Sequence, residues 1–165
     1  MTLQFMAMEA SDDEMVHKWR TSEHVQKWMF TTVSDDLEKH REWSEMVRTA
    51  NDCAYFVAYA KLMDGSLMPI GLAYFTDISN YKCQVGFYIG EESVLENGFG
   101  KAILEWMTDT AFRSLGVHWV SGRIKMMNKA SERLFTSCGY REDPLRILSR
   151  IFDIHRDQYL ERASR

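Results

Sequence analysis

The hydrophobic pattern of this chain changes period several times, and each change predicts an element. Thr2 to Glu9 alternates like a short strand. Asp12 to Met29 reads as helix, with Val16, Trp19 and Arg20 on one face and Ser11 placed as its N-cap. A second helix is expected to open at Ser34 and to carry Leu37, His40, Arg41 and Trp43 to Val47. Ala54 to Tyr59, Pro69 to Thr76 and Tyr81 to Gly90 are apolar and aromatic, as strands are. Met63-Asp-Gly-Ser, between the first two, is a hairpin signal, so the three predict an antiparallel meander. Pro69 and Pro144 are expected at element ends.

The strongest helical pattern runs from Gly98 to Leu115. Ile103, Leu104, Met107, Ala111, Phe112 and Leu115 fall on one stripe, and Gly116 fits the left-handed stop position. Val117 to Met127 then alternates as a strand. Asn128 to Ser137 forms a short helix ended by Cys138-Gly139-Tyr140, and Ile147 to Ile154 is a last strand. The final residues are polar and expected to fray. Interleaved helices and strands with an antiparallel middle predict an α+β domain built on a mixed sheet.

Composition narrows the class. The 165 residues are 45% hydrophobic, which suits one domain over residues 1–165 with one core. The net charge of −4 gives no basic excess, so nucleic acid is not an expected partner. No apolar run approaches the roughly 20 residues of a membrane span. The N-terminus lacks the basic and apolar regions of a secretory leader. Cytoplasmic location and no membrane partner are therefore expected. Cys53, Cys83 and Cys138 are widely spaced, which fits reduced core thiols and implies no metal.

Candidate chemistry concentrates at two junctions. Leu95-Glu96-Asn97-Gly98-Phe99-Gly100-Lys101 joins a strand to the best helix. Gly98 and Gly100 let a ligand approach the main chain, the first helical amides lack partners, and Lys101 adds a cation. A pyrophosphate suits such a place. The Walker pattern and the three-glycine dinucleotide fingerprint are both absent. At the second junction, Asn128 and Ser131 precede Leu134, Phe135 and Cys138-Gly139-Tyr140. Asn128 serves there either as a helix cap or as a ligand contact.

Together these segments resemble the GNAT superfamily of N-acetyltransferases over nearly the whole chain. The resemblance implies a mostly antiparallel central sheet flanked by helices, with splayed central strands. It implies acetyl-CoA as acetyl donor, with its pantetheine arm beside Phe87, Tyr88 and Ile89. The pyrophosphate would lie on Leu95 to Lys101, and further contacts would come from Asn128, Ser131 and Phe135. Two departures matter. Leu95 stands where the family usually has Gln or Arg. Phe135 replaces a frequent tyrosine that protonates the departing thiolate, and it has no proton to give.

A narrower resemblance rests on Trp19-Arg20, Val25 to Phe30, His40 within Leu37 to Trp43, Tyr55-Phe56-Val57, Ile70-Gly71 and Gly86-Phe87-Tyr88. These are similar to the N-acetyltransferases of UDP-4-amino-4,6-dideoxy-N-acetyl-β-L-altrosamine in pseudaminic-acid biosynthesis, which serves flagellin glycosylation. The likeness implies a small-molecule acceptor, a nucleotide-linked amino sugar, and admits a homodimer. Arg20, Trp28, Met29, Phe30, His40 and Trp43 would bind it, the aromatic residues as an apolar wall and Arg20 at a phosphate. The same residues also suit a core and a stacking arginine. Tyr88 and His40 are the candidate catalytic groups, His40 as a base and Tyr88 through a positioned water. Acetylation of a peptide N-terminus or a polyamine is the alternative. A non-catalytic CoA-binding module is the alternative of another class.

Overall fold

The computed structural model describes residues 2–144 and 150–164. A seven-stranded sheet has the order β1-β2-β3-β4-β5-β7-β6. β1 (Leu3–Ala7), β2 (Ala54–Lys61), β3 (Leu67–Thr76) and β4 (Lys82–Ile89) form an antiparallel run, as the sequence pattern predicts. β5 (Trp119–Ile124) lies parallel to β4, and β6 (Arg141–Glu142) and β7 (Arg150–His155) close the far edge antiparallel. Pro69 lies inside β3, where the β2–β3 register slips at Ala58/Tyr59. A bulge tolerates a residue that cannot donate to the ladder.

Helices cover both faces. α4 (Phe99–Arg113) lies on one, with α5 (Lys129–Ser137) beside it and Tyr159 of α6 (Arg156–Ala163) packed against the same core. The stripe read from the sequence is the centre of this core. Ile103, Leu104, Met107 and Ala111 are fully buried against Phe75, Val85 and Val120. Each large side chain contributes roughly 1.5–3 kcal/mol of burial. α1 (Asp13–Thr21), α2 (Glu23–Gln26) and α3 (Leu37–Thr49) cover the other face. There Val16, Trp19 and Val47 meet Val57, Leu72 and Tyr88.

Several local expectations are corrected. The helix expected over Asp12 to Met29 breaks at Ser22, whose extended backbone separates α1 from α2. Ser11 lies within a 3-10 turn, Ala10–Asp12, and caps nothing. The second helix starts at Leu37, because the Asp36 carboxylate accepts from the amides of Glu38 and Lys39; Ser34 lies upstream. β5 ends at Ile124, short of the expected Met127. The C-terminal residues form α6, anchored by Tyr159, which donates to Asp109 at 2.5 Å, and by Arg162, which donates to the Ser137 carbonyl at 2.6 Å. Ile147 to Ser149, the start of the expected last strand, lie outside the described residues.

Candidate active site

The site begins where two parallel strands part. β4 and β5 pair only from Lys82↔Trp119 to Val85↔Gly122. Beyond that point β4 runs on from Gly86 to Ile89 with β3 as its only strand partner among the described residues. The Gly90 amide donates to the Ile70 carbonyl at 2.9 Å, so Gly90 faces β3. Main-chain groups alternate sides along an antiparallel ladder. Those of Phe87 and Ile89 therefore face the gap left by β5. An extended, amide-bearing chain can add to this edge as a strand would.

A cleft of about 440 Å³ fills the gap. Its two sides follow from side-chain alternation on β4. Val85, Phe87 and Ile89 point to the α4 face, where Gly100, Leu134 and Phe135 continue the wall. Tyr88 points to the α1–α3 face with Tyr74, and Trp28, Met29 and Phe30 from the segment after α2 complete that side. Glycines admit the neighbouring rings. A Cβ at Gly86 would overlap Tyr74, and one at Gly122 would overlap Phe135. Phe135 is thereby seated at the base of the cleft and is buried.

The glycine loop stands at one end. Glu96 has φ 66° and Gly98 has φ 79°, and Gly98 is the N-cap of α4. Lys101 donates its amide to the Gly98 carbonyl at 3.2 Å. The amides of Gly98, Phe99 and Gly100 have no intrahelical carbonyl to meet. Left-handed residues inside such a turn gather amides into a concavity that suits an anion. The Phe99 ring is buried in the core, which leaves only its main chain for that task. Lys101 leans along its own helix toward Glu105, 3.9 Å away, and does not line the cleft.

The sequence candidates fall into two groups. Phe87, Tyr88, Ile89, Leu95, Gly100, Asn128, Ser131, Phe135, Trp28, Met29 and Phe30 are brought together around the cleft. Asn128 caps α5, accepting from the Ser131 amide at 3.0 Å. Glu96, Asn97 and Gly98 form the loop beside it. Arg20, His40 and Trp43 lie outside the cleft, beneath the tyrosines. The Arg20 guanidinium sits 3.6 Å over the Trp43 ring, and the residue is only 9% exposed. His40 is 3% exposed, and both its ring nitrogens lack hydrogen-bond partners. Burial above all, then the Arg20 and His17 charges, lower its pKa to about 4. A neutral imidazole is what this pocket holds.

The polar and aromatic residues of the cleft that were not assigned a role from the sequence include His24, Lys27, Tyr74, Arg123 and Lys125. Arg123 stacks over Phe30 at 4.1 Å, and Lys125 donates to the Lys27 carbonyl at 2.9 Å. His24 reaches the Ile89 carbonyl at 3.2 Å and Glu92 at 3.2 Å, which ties α2 to the free edge of β4. Tyr74 was detectable from strand alternation, since it shares a face with Tyr88. The cations come from separate segments that carry no common motif. Among the described residues, no carboxylate lines the cleft. The acidic cluster at the start of α1 is engaged elsewhere: Asp12 accepts from the Glu9 amide, Asp13 from Ser44, and Glu14 from Arg41.

Comparison with known proteins agrees with this architecture. The acetyltransferase (GNAT) domain family matches residues 2–141, and the chain belongs to that family. It is an acetyl-CoA-dependent N-acetyltransferase. Among solved structures it resembles a spermidine N-acetyltransferase from Vibrio cholerae in complex with CoA and spermine. The TM-score is 0.83 at 18% identity, over 96% of this chain and 98% of that one. It also resembles the Campylobacter jejuni N-acetyltransferase PseH, with TM-score 0.70 at 16% identity over 93% and 98% of the two chains. A domain from Methanocaldococcus jannaschii gives 0.81 at 16% identity over 93% and 98%. At these identities the likeness is one of fold. No curated protein matches the sequence. Among the described residues, no helix is long and apolar enough to cross a membrane.

Proposed function

We propose that the cleft transfers acetyl from acetyl-CoA to the amino group of a nucleotide-linked amino sugar, by direct attack without an acyl-enzyme. The observation that carries the acceptor class is the wall of Trp28, Met29 and Phe30, bordered by Lys27, Arg123 and Lys125 with no described carboxylate. Rings and apolar surface suit a base and a deoxy-sugar methyl, and cations suit a diphosphate. A polyamine, itself a polycation, would meet like charges here. The resemblance of the Trp19-Arg20, Val25 to Phe30 and Gly86 to Tyr88 segments to acetyltransferases of pseudaminic-acid biosynthesis supports the same reading. The 4-amino group of a UDP-amino-deoxy-sugar is the proposed acceptor.

In this reading the coenzyme's pantetheine arm pairs with the Phe87–Ile89 edge, and its pyrophosphate takes the amides of Gly98, Phe99 and Gly100. Leu95, Ser131, Leu134 and Phe135 flank the arm. The neutral amine attacks the thioester carbon, the C–N bond forms and the C–S bond breaks. Coenzyme A leaves as thiolate and takes a proton from water, since Phe135 has none to give. The amine's surplus proton also passes to water. His40 has no place in these steps, because it is buried outside the cleft.

Titration of UDP into CoA-saturated protein tests the acceptor class calorimetrically. Saturable binding that is weakened by Arg123→Gln is expected. Absence of UDP binding, with spermidine bound instead, would overturn the nucleotide-sugar assignment.

A further inference from the structure

The Tyr88 hydroxyl, like the ring nitrogens of His40, is an anomaly of the interior. Tyr88 is 9% exposed, and among the described residues its hydroxyl has no hydrogen-bond partner. A buried hydroxyl left unpaired bears its desolvation penalty without compensation. The residue lines the cleft on the stretch of β4 that β5 leaves free, between the two residues whose main chains face the gap. Beneath it lies a second anomaly. Arg20 is buried on the Trp43 ring, and among the described residues no carboxylate lies within ion-pair distance of it. Its titratable neighbours are Tyr88, Tyr55 and Tyr74, which burial keeps as neutral phenols. Tyr55 and Tyr74 stack with ring centroids 5.2 Å apart, and Tyr74 lies over Gly86. A cation without a counter-ion thus sits behind the tyrosine that faces the cleft.

We propose that Tyr88 is a catalytic hydrogen-bond donor to the acetyl carbonyl oxygen of bound acetyl-CoA, and that Arg20 is a positioning residue that supplies a positive field behind it. This rests on the acetyl-transfer reading of the cleft and not on which amine is accepted. When the amine nitrogen bonds to the carbonyl carbon, the carbonyl π electrons move to oxygen. That oxyanion accepts the Tyr88 O–H hydrogen bond, and no proton changes hands. Collapse restores the carbonyl and expels the coenzyme thiolate, which takes its proton from water. Donors aimed at a developing oxyanion in a dry site contribute strongly to rate. Burial raises the Tyr88 pKa well above the ordinary phenol range, so the hydroxyl stays protonated and acts as a donor, not an acid.

Tyr88→Phe removes one oxygen and keeps the ring. Two readouts decide the matter. Single-turnover transfer to whichever amine is accepted is expected to slow about 100-fold, with acetyl-CoA affinity within about threefold of the unaltered protein. Infrared spectra of bound acetyl-CoA labelled at its carbonyl carbon need no turnover. The carbonyl band of the unaltered protein is expected at lower frequency than that of the variant. Superimposable bands, or transfer rates within about threefold, would overturn the assignment. A purely structural Tyr88 would instead lower thermal stability and coenzyme affinity while leaving the band in place. Failure of a nucleotide sugar as acceptor counts against the acceptor class alone, and the infrared comparison still decides the role of Tyr88.

Discussion

The two sides of the cleft are built by opposite means. The side that faces α4 has an apolar side-chain wall, and its polar groups come from main chain and glycine: the free edge at Phe87 and Ile89, the left-handed Gly98 and the narrow seat at Gly100. The side that faces α1–α3 is made of large side chains from distant segments: Trp28 to Phe30, Tyr74, Tyr88, Arg123 and Lys125. In the proposed reading, main-chain donors meet what every acetyl-CoA carries, a pyrophosphate and an amide arm, and side chains gathered from four places meet what differs between acceptors. The first wall needs a backbone shape, and the second needs a particular set of residues.

Substitutions that separate the walls sharpen this contrast. The largest expected effect is at Gly98. A β-branched residue is strained at φ 79°, and relief of that strain would re-aim the loop amides. Gly98→Val is predicted to weaken acetyl-CoA binding about 100-fold by calorimetry, while UDP affinity stays within about threefold. Next comes Gly122→Ala, whose new methyl would overlap Phe135 at the base of the cleft. Overpacking of this kind costs about 1–3 kcal/mol, and thermal melts should show it. Arg123→Gln is predicted to lower UDP affinity about tenfold, the loss of one charge-assisted contact, and to leave acetyl-CoA affinity unchanged. Equal losses of both ligands in either wall's variant would dissolve the distinction.

The smallest effect concerns His40, behind the acceptor wall. Its pKa in the fold is about 4, below the ordinary histidine value of 6.5. The unfolded chain therefore binds a proton between pH 6.5 and 4 that the folded chain refuses, and stability falls as pH drops through that window. His40→Leu should flatten this part of the urea-midpoint profile. An unchanged slope would mean that His40 is protonated in place.

What the sequence disclosed follows the same division. The Gly98–Lys101 loop and the α4 stripe were legible because their residues are neighbours in the chain and obey a fixed period. Gly116 carries the positive φ that its stop position implies, and Gly98 is left-handed as well. The acceptor wall was legible only in part. Trp28, Met29 and Phe30 were found through the resemblance of their segment to one branch of the family, whereas Tyr74, Arg123 and Lys125 reach the cleft through the placement of β3 and β5 in the sheet. Arg20, His40 and Trp43 look like ligands in a one-dimensional reading, yet they lie one layer beneath. Helix ends were misplaced where an aspartate outcompeted a serine as cap, as Asp36 does over Ser34. The C-terminal helix was missed because its polar residues show no apolar stripe, and it holds through Tyr159 and Arg162.

Release of coenzyme A thiol from acetyl-CoA, followed with a UDP-4-amino-deoxy-sugar and separately with spermidine, tests the proposed acceptor chemistry most directly. Rapid release with the nucleotide sugar, and none above background with spermidine, is the predicted result. Release with spermidine in preference to the nucleotide sugar would contradict it, as would coenzyme binding with no release to any amine.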